Sequence, residues 1–436
     1  MLAGKLLENA EFLLDKKIHP TIIAKGYRIA AKKSQEILDN ISYELSSGDE
    51  ERLKYIAQTA MTGKGAESVK QKFSEIIVKA VKQIADGDVD LGNIKLEKSK
   101  GNSVEDTELI SGIVLDKERA NSEMPLKVEN AKILLIDTPL EIKQLEGESR
   151  ISISSPEQMQ NFVEQQEAII KEMVDKIKVS GASVLFCQKG IDDLAQYYLA
   201  KSGIYAVRRV SREDMEKLSK AVNARIISQL NDVSQEDLGS ANLVEERKVG
   251  EERMTYVTGC DNPKALTILI KGGSEHVIDE MERAIKDGLG DVASAIKSKR
   301  VVAGGGAVEI ELSKRLREFS QSLSGREQLA VEKFAEALEF IPSTLAENAG
   351  LDPIDILTEL KAKHDAGEIG AGINIFSGKI ENTADIGIIE PLKIKTQAIS
   401  SASEVAMMIL RIDDVIASGK TGESTPSMPC LLYTSP

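Results

Sequence analysis

Between residues 184 and 227 short apolar runs alternate with helix-length stretches, and this alternation limits the fold more than any other feature of the chain. Residues 184–187 read as a strand, 191–202 as a helix, 205–208 as a strand, 211–222 as a helix and 225–227 as a strand. Ser211 with Asp214 three residues on marks the second helix start, since the hydroxyl can accept from the helix backbone while the acid reaches back. Strands separated by helices of this length need crossover connections, which predicts a parallel sheet covered by helices. Apolar runs at 113–115, 133–136 and 265–270 read as further buried strands.

The flanks have a different texture. Residues 1–41 read as two helices, the first carrying Leu2, Leu6, Leu7, Ala10, Leu13 and Leu14 at helical spacing with no capping residue ahead of it. Pro20 opens the second, where its missing N–H costs nothing. A helix to residue 60, a turn at Thr62-Gly63-Lys64-Gly65 and a helix over 66–84 follow, then a polar stretch over 86–101 expected to be loop or short strand. A long charged helix spans Met159 to about Gly181, and another runs over 275–297. After a strand at 301–303 come helices from about 308, over 326–338 and from Asp352-Pro353, short strands over 372–380, and a last helix over 396–410. A chain of 436 residues is too long for one core. Helical ends around a central α/β block suggest one domain inserted into another.

Composition removes several function classes. With Lys+Arg 56 against Asp+Glu 70 the net charge is −14, which argues against a nucleic-acid backbone as main ligand. The three cysteines (Cys187, Cys260, Cys430) form no CxxC pair, and His19, His276 and His364 lie far apart, so neither a zinc site nor a disulfide framework is indicated. No run approaches the roughly 18 apolar residues of a membrane span, and no secretory leader is evident. A cytoplasmic protein that touches neither membrane nor nucleic acid is expected.

Four features could carry chemistry. Gly304, Gly305 and Gly306 sit between a strand and a helix, where bare backbone N–H groups and a helix start suit phosphate. No Lys-Ser/Thr follows, so this is not a Walker loop, and a tight strand-to-helix turn is the alternative. Asp287 lies on a helix with no carboxylate partner fixed by local spacing; it could orient a water in phosphoryl transfer or be a solvated surface charge. Lys64, between two glycines, could sense phosphate or be a solvated turn lysine. Met159, Phe162 and Val163 form an apolar stripe whose C-terminal continuation reads as core but whose N-terminal half could project and bind other proteins.

Several longer stretches resemble the group II chaperonins, in particular archaeal thermosome subunits. They include His19-Pro20-Thr21-Ile22-Ile23-Ala24-Lys25-Gly26-Tyr27, Phe186-Cys187-Gln188-Lys189-Gly190-Ile191-Asp192-Asp193-Leu194-Ala195 and Leu243-Val244-Glu245-Glu246-Arg247-Lys248. Leu345-Ala346-Glu347-Asn348-Ala349-Gly350-Leu351-Asp352-Pro353, Lys395-Thr396-Gln397-Ala398-Ile399 and Ile409-Leu410-Arg411-Ile412-Asp413-Asp414 continue the match. The resemblance implies a multidomain α+β fold. A mostly helical, split equatorial domain would take residues 1–47 and 305–420. A small intermediate domain would take 48–117 and 272–304, and an α/β apical domain 118–271 with a helical lid protrusion at about 146–165. Residues 421–436, which belong to no periodic element, are set aside as an artefactual or disordered tail.

The resemblance also implies ATP and Mg²⁺, ATP hydrolysis, unfolded proteins as clients, and identical or paralogous subunits in a double ring. By the same resemblance Asp287 would position the hydrolytic water, with Gly304, Gly305 and Gly306 beside the nucleotide. Asn374 and Glu390 would lie near adenine and ribose, Lys64 would sense the γ-phosphate, and Met159, Phe162 and Val163 would touch clients. The family's main phosphate loop, Gly-Asp-Gly-Thr-Thr-Thr, with the Asp that holds Mg²⁺, is expected ahead of Met1. No metal ligand is therefore expected here, and a chain truncated in this way is expected not to hydrolyse ATP on its own. A nucleotide-independent fragment that holds unfolded protein is the alternative.

Overall fold

The computed structural model describes residues 1–412 apart from 47, 86–88, 102, 143–154, 251 and 261–263. The expected tail at 421–436, residues 413–420, and the expected lid over 146–154 fall outside the described residues.

Amphipathic spacing produces the first helices. Helix α1 (Leu2–Asp15) buries Leu2, Leu6, Ala10 and Leu13, and α2 (Pro20–Ile41) buries Ile23, Tyr27, Ala30 and Leu38. A two-residue strand β1 (Tyr43–Glu44) precedes α3 (Glu50–Met61), which begins where the Asp49 carboxylate accepts from Arg52 N–H. Helix α4 (Lys70–Ile84) follows, then strands β2 (Ile94–Lys100), β3 (Glu108–Ile110), β4 (Gly112–Leu115) and β5 (Lys127–Ile136).

Helix α5 (Pro156–Val179) leads into the alternating block: β6 (Val184–Cys187), α6 (Asp193–Lys201), β7 (Tyr205–Val207), α7 (Arg212–Val222) and β8 (Ile226–Ile227). Strands β9 (Gly239–Val249), β10 (Glu252–Thr258) and β11 (Leu266–Gly272) come next, then α8 (Glu275–Ser298) and β12 (Arg300–Ala303). Helices α9 (Ala307–Ser320), α10 (Arg326–Asn348) and α11 (Pro353–Asp365) precede strands β13 (Ala371–Asn374), β14 (Lys379–Asn382) and β15 (Ile389–Pro391). Helix α12 (Leu392–Ile409) closes the described chain.

The central sheet has the order β4-β10-β9-β5-β6-β7, with β8 also beside β5. Its β5, β6, β7 and β8 pairings are parallel, as the alternation requires. The β4–β10–β9–β5 half is antiparallel, so the parallel pairing predicted from the alternation covers only part of the sheet. That half is built from a hairpin whose charged run Glu245-Glu246-Arg247-Lys248 hides a strand period. Residues 94–100 are also more than a loop or short strand: all of β2 pairs in parallel with β11.

Among the described residues, the four largest apolar clusters organise the molecule. One joins α1 and α2 to α9, α10 and α12, with Tyr27 donating its hydroxyl to Leu6 O at 2.7 Å and meeting Phe334 edge-on. A second joins α3 and α4 to α8, β2 and β11. The remaining two cover opposite faces of the central sheet. Helix α10 runs past the expected end at Leu338 and carries Pro342 within it. That ring packs against Gly306, where a Cβ would stand 2.7 Å from Pro342 Cβ.

Candidate functional site

The glycine turn connects β12 to α9 and needs its glycines for two reasons. Gly305 and Gly306 have φ of +64° and +81°, the left-handed region that side chains avoid. The backbone also crowds in. A Cβ on Gly305 would lie 2.6 Å from Ile373 O, and one on Gly304 would lie 3.1 Å from Glu390 Oε1. The turn is tied by Gly304 N–H donating to Ile388 O and Ile373 N–H donating to Gly305 O, both at 2.8 Å.

Beside this turn opens a cavity of about 750 Å³. Tyr55, Thr62, Gly63 and Lys70 line it from the α3–α4 side, and Gly305, Asn348, Asn374, Phe376 and Glu390 from the other. Of the residues expected at a nucleotide, Gly305, Asn374 and Glu390 therefore share one cavity wall. Gly304 and Gly306 are buried under it. Asn374 is held by its own hairpin: its Oδ1 accepts from Phe376 N–H at 3.0 Å and its Nδ2 donates to Glu381 at 2.8 Å. This is an Asx turn that shapes the cavity lip.

Lys64 follows the lining Gly63, and its ammonium is hydrogen-bonded to the Asp287 carboxylate on α8. The turn lysine and the helix acid, unrelated in sequence, are thus direct partners. Asp287 also has a carboxylate neighbour that the sequence reading missed. Asp291 stands one turn on, an i, i+4 spacing that was there to be read. Burial, then the charge of Glu390, pushes the Asp291 carboxyl up to about 6, while Lys64 pulls it down. A second missed group is Lys395, whose Nζ lies 2.8 Å from Glu309 Oε1 and 2.9 Å from Glu390 Oε2.

The apolar stripe is elsewhere, on α5. Its C-terminal half packs Ile170, Val174 and Ile177 against the central sheet. At its other end Met159 and Val163 are 52% and 50% exposed, and Phe162 is half-buried. Among the described residues no group of three or more His, Cys, Asp or Glu could hold a metal ion.

Residues 1–420 match the model of the TCP-1/cpn60 chaperonin family. A thermosome subunit of Methanopyrus kandleri is 56% identical over 422 residues, covering 96% of this chain and 77% of that protein. Thermosome subunit beta of Archaeoglobus fulgidus is 58% identical over 442 residues, covering 98% of this chain and 81% of its own. Among solved structures, the open-state monomer of a group II chaperonin from Methanococcoides burtonii aligns with a TM-score of 0.69 and 50% identity. That alignment covers 94% of this chain and 98% of the other.

Proposed function

The chain belongs to the TCP-1/cpn60 chaperonin family, and we propose that it is an ATP-hydrolysing chaperone subunit whose nucleotide occupies the cavity beside Gly305. The observation that carries this reading is the composition of the cavity wall. One side comes from the α3–α4 turn, next to the Lys64–Asp287 pair, and the other from the glycine turn and the β13–β14 hairpin. A volume of about 750 Å³ suits a nucleotide. The bare Gly305 backbone, at the entry to α9, is where a phosphate could approach closely.

In this reading the equatorial domain is residues 1–47 with 305–420, the intermediate domain 48–117 with 272–304, and the apical domain 118–271. The apolar layers support such a division, since α1 and α2 share a core with α9, α10 and α12, while α3 and α4 share one with α8. Nucleotide bound between the two would feel any rotation of α8. Asp287 would then orient the attacking water, and Lys64 would exchange its carboxylate partner for the γ-phosphate. Positioning and electrostatics suffice for such chemistry, because the transition state is loose and the protein makes no covalent bond. Mg²⁺ would shield phosphate charge, but the described residues offer no cluster that fits it, so the roles assigned are those of side chains alone.

Clients would be unfolded proteins in the cytoplasm, held by the exposed end of α5 at Met159, Phe162 and Val163. Partner subunits, identical or paralogous, would complete a double ring. Two measurements on Asp287→Ala test the proposal. ATP should still bind while turnover falls by about 10²-fold or more, and a denatured client should no longer be released on ATP addition. Unchanged turnover would remove Asp287 from the reaction. Client capture and release that ignore ATP in the unsubstituted protein would favour nucleotide-independent holding.

A further inference from the structure

Among the described residues, Glu390 is the one carboxylate in the cavity wall, and its nearest cation comes from a stretch to which no role has been given, residues 395–399. Lys395 lies in the first turns of α12 and Glu309 in the first turn of α9, directly after the glycine turn. One ammonium thus joins β15, α9 and α12, through Glu390 Oε2 at 2.9 Å and Glu309 Oε1 at 2.8 Å.

The two carboxylates differ in setting. Glu309 is buried, and its second oxygen has no hydrogen-bond partner. Glu390 is more open, and its Oε1 lies over the turn, 3.1 Å from where a Gly304 Cβ would stand. Lys395 therefore occupies one oxygen of Glu390 and leaves the other facing the glycine turn. Burial alone would push Lys395 down, but the charges of Glu309 and Glu390 outweigh it and hold the ammonium above its usual range.

We propose that Lys395, anchored by Glu309, is a positioning residue that fixes the Glu390 carboxylate so that its free oxygen accepts from a sugar hydroxyl of the bound nucleotide. This rests on the reading of the cavity as the ATP site. The same ion pair neutralises Glu390 on the side away from the ligand, which lowers its repulsion of the phosphates. Freed of Lys395, the carboxylate would turn away from Glu309 and lose the orientation on which the hydroxyl contact depends.

The test compares three variants with the unsubstituted protein, reading thermal unfolding and the KM and kcat for ATP. Lys395→Met leaves two neighbouring carboxylates without a cation and should unfold at lower temperature or fail to fold. Lys395→Met with Glu309→Gln removes that charge imbalance and should regain most of the stability. Its KM for ATP should nevertheless stay raised roughly tenfold, the loss expected of one charge-assisted hydrogen bond, with kcat changed by less than about twofold. Glu390→Gln reports on the cavity itself and should raise KM on its own.

If the double variant regains the wild-type KM together with its stability, Lys395 is only structural and the inference is overturned, while the cavity reading stands on the Glu390→Gln result. If Glu390→Gln leaves KM and kcat unchanged, the carboxylate does not face the nucleotide and the inference falls together with the assignment of the cavity wall.

Discussion

Replacing Gly305 by Ala should damage the cavity far more than the loss of a single hydrogen atom suggests. The residue holds φ at +64°, where a Cβ costs about 1–2 kcal/mol. The new Cβ would also stand 2.6 Å from Ile373 O and 3.0 Å from Ile373 N, both backbone atoms that no rotamer change can move. The β13–β14 hairpin must then retreat, and the 2.8 Å bond from Ile373 N–H to Gly305 O is the first to break. Leaving those groups unpaired adds about 1–3 kcal/mol. Together the effects should lower the local opening free energy by about 2–5 kcal/mol, so native-state hydrogen exchange at Ile373 should lose protection by roughly 30-fold to several thousand-fold. Isothermal titration should show ATP binding weakened at least about tenfold, because Ile373, Asn374 and Phe376 line the cavity from that hairpin. Gly290→Ala on α8 is the control: its Cβ would meet nothing within 4 Å, so it should stabilise by about 0.5–1 kcal/mol. Wild-type protection at Ile373 and wild-type ATP affinity in Gly305→Ala would refute the reasoning.

Other perturbations reach other parts of the molecule. Asp291 is pushed from 3.8 up to about 6 by burial, so the folded state holds its proton more tightly than the unfolded state and stability falls as pH rises between those values. Asp291→Asn should therefore stabilise the protein at pH 7.5 by about 1–2 kcal/mol once partial exposure is allowed for, seen as a raised melting temperature, and have no effect at pH 3. On α5, Met159→Ser with Val163→Ser should change stability by less than about 0.5 kcal/mol per site yet weaken capture of a denatured client. Ile177→Ala, in the core of the same helix, should cost about 2–4 kcal/mol and leave capture by the folded protein intact. Burial pushes the Cys187 thiol up to about 11, so native protein should resist iodoacetamide at that residue at pH 8 and react there once denatured.

What could be read from the chain depended on how locally each feature is encoded. The β6–α6–β7–α7–β8 block was legible because each element carries its own signal, including an Asp192 cap on α6 and a Ser211 cap on α7. The β9–β10 hairpin was not, because its outward charges break the apolar pattern and its partners are β4 and β5, more than a hundred residues earlier. The continuation of α10 beyond Leu338 is not legible locally, since Pro342 is accommodated by Gly306, a tertiary contact that leaves no local mark. At the site, the glycine turn announced itself, whereas the Lys64–Asp287 pair depends on residues far apart in the chain. Asp291 could have been found from helical spacing alone. Lys395 could not, because its two partners come from β15 and α9.

The most direct test of the central claim is a structure of the protein with a non-hydrolysable ATP analogue. The account requires the analogue in the cavity, its phosphates against the Gly305 turn, its ribose at Glu390, and the Lys64 ammonium drawn from Asp287 towards the γ-phosphate. Analogue bound elsewhere, or an empty cavity at saturating concentration with the Lys64–Asp287 pair unchanged, would contradict it.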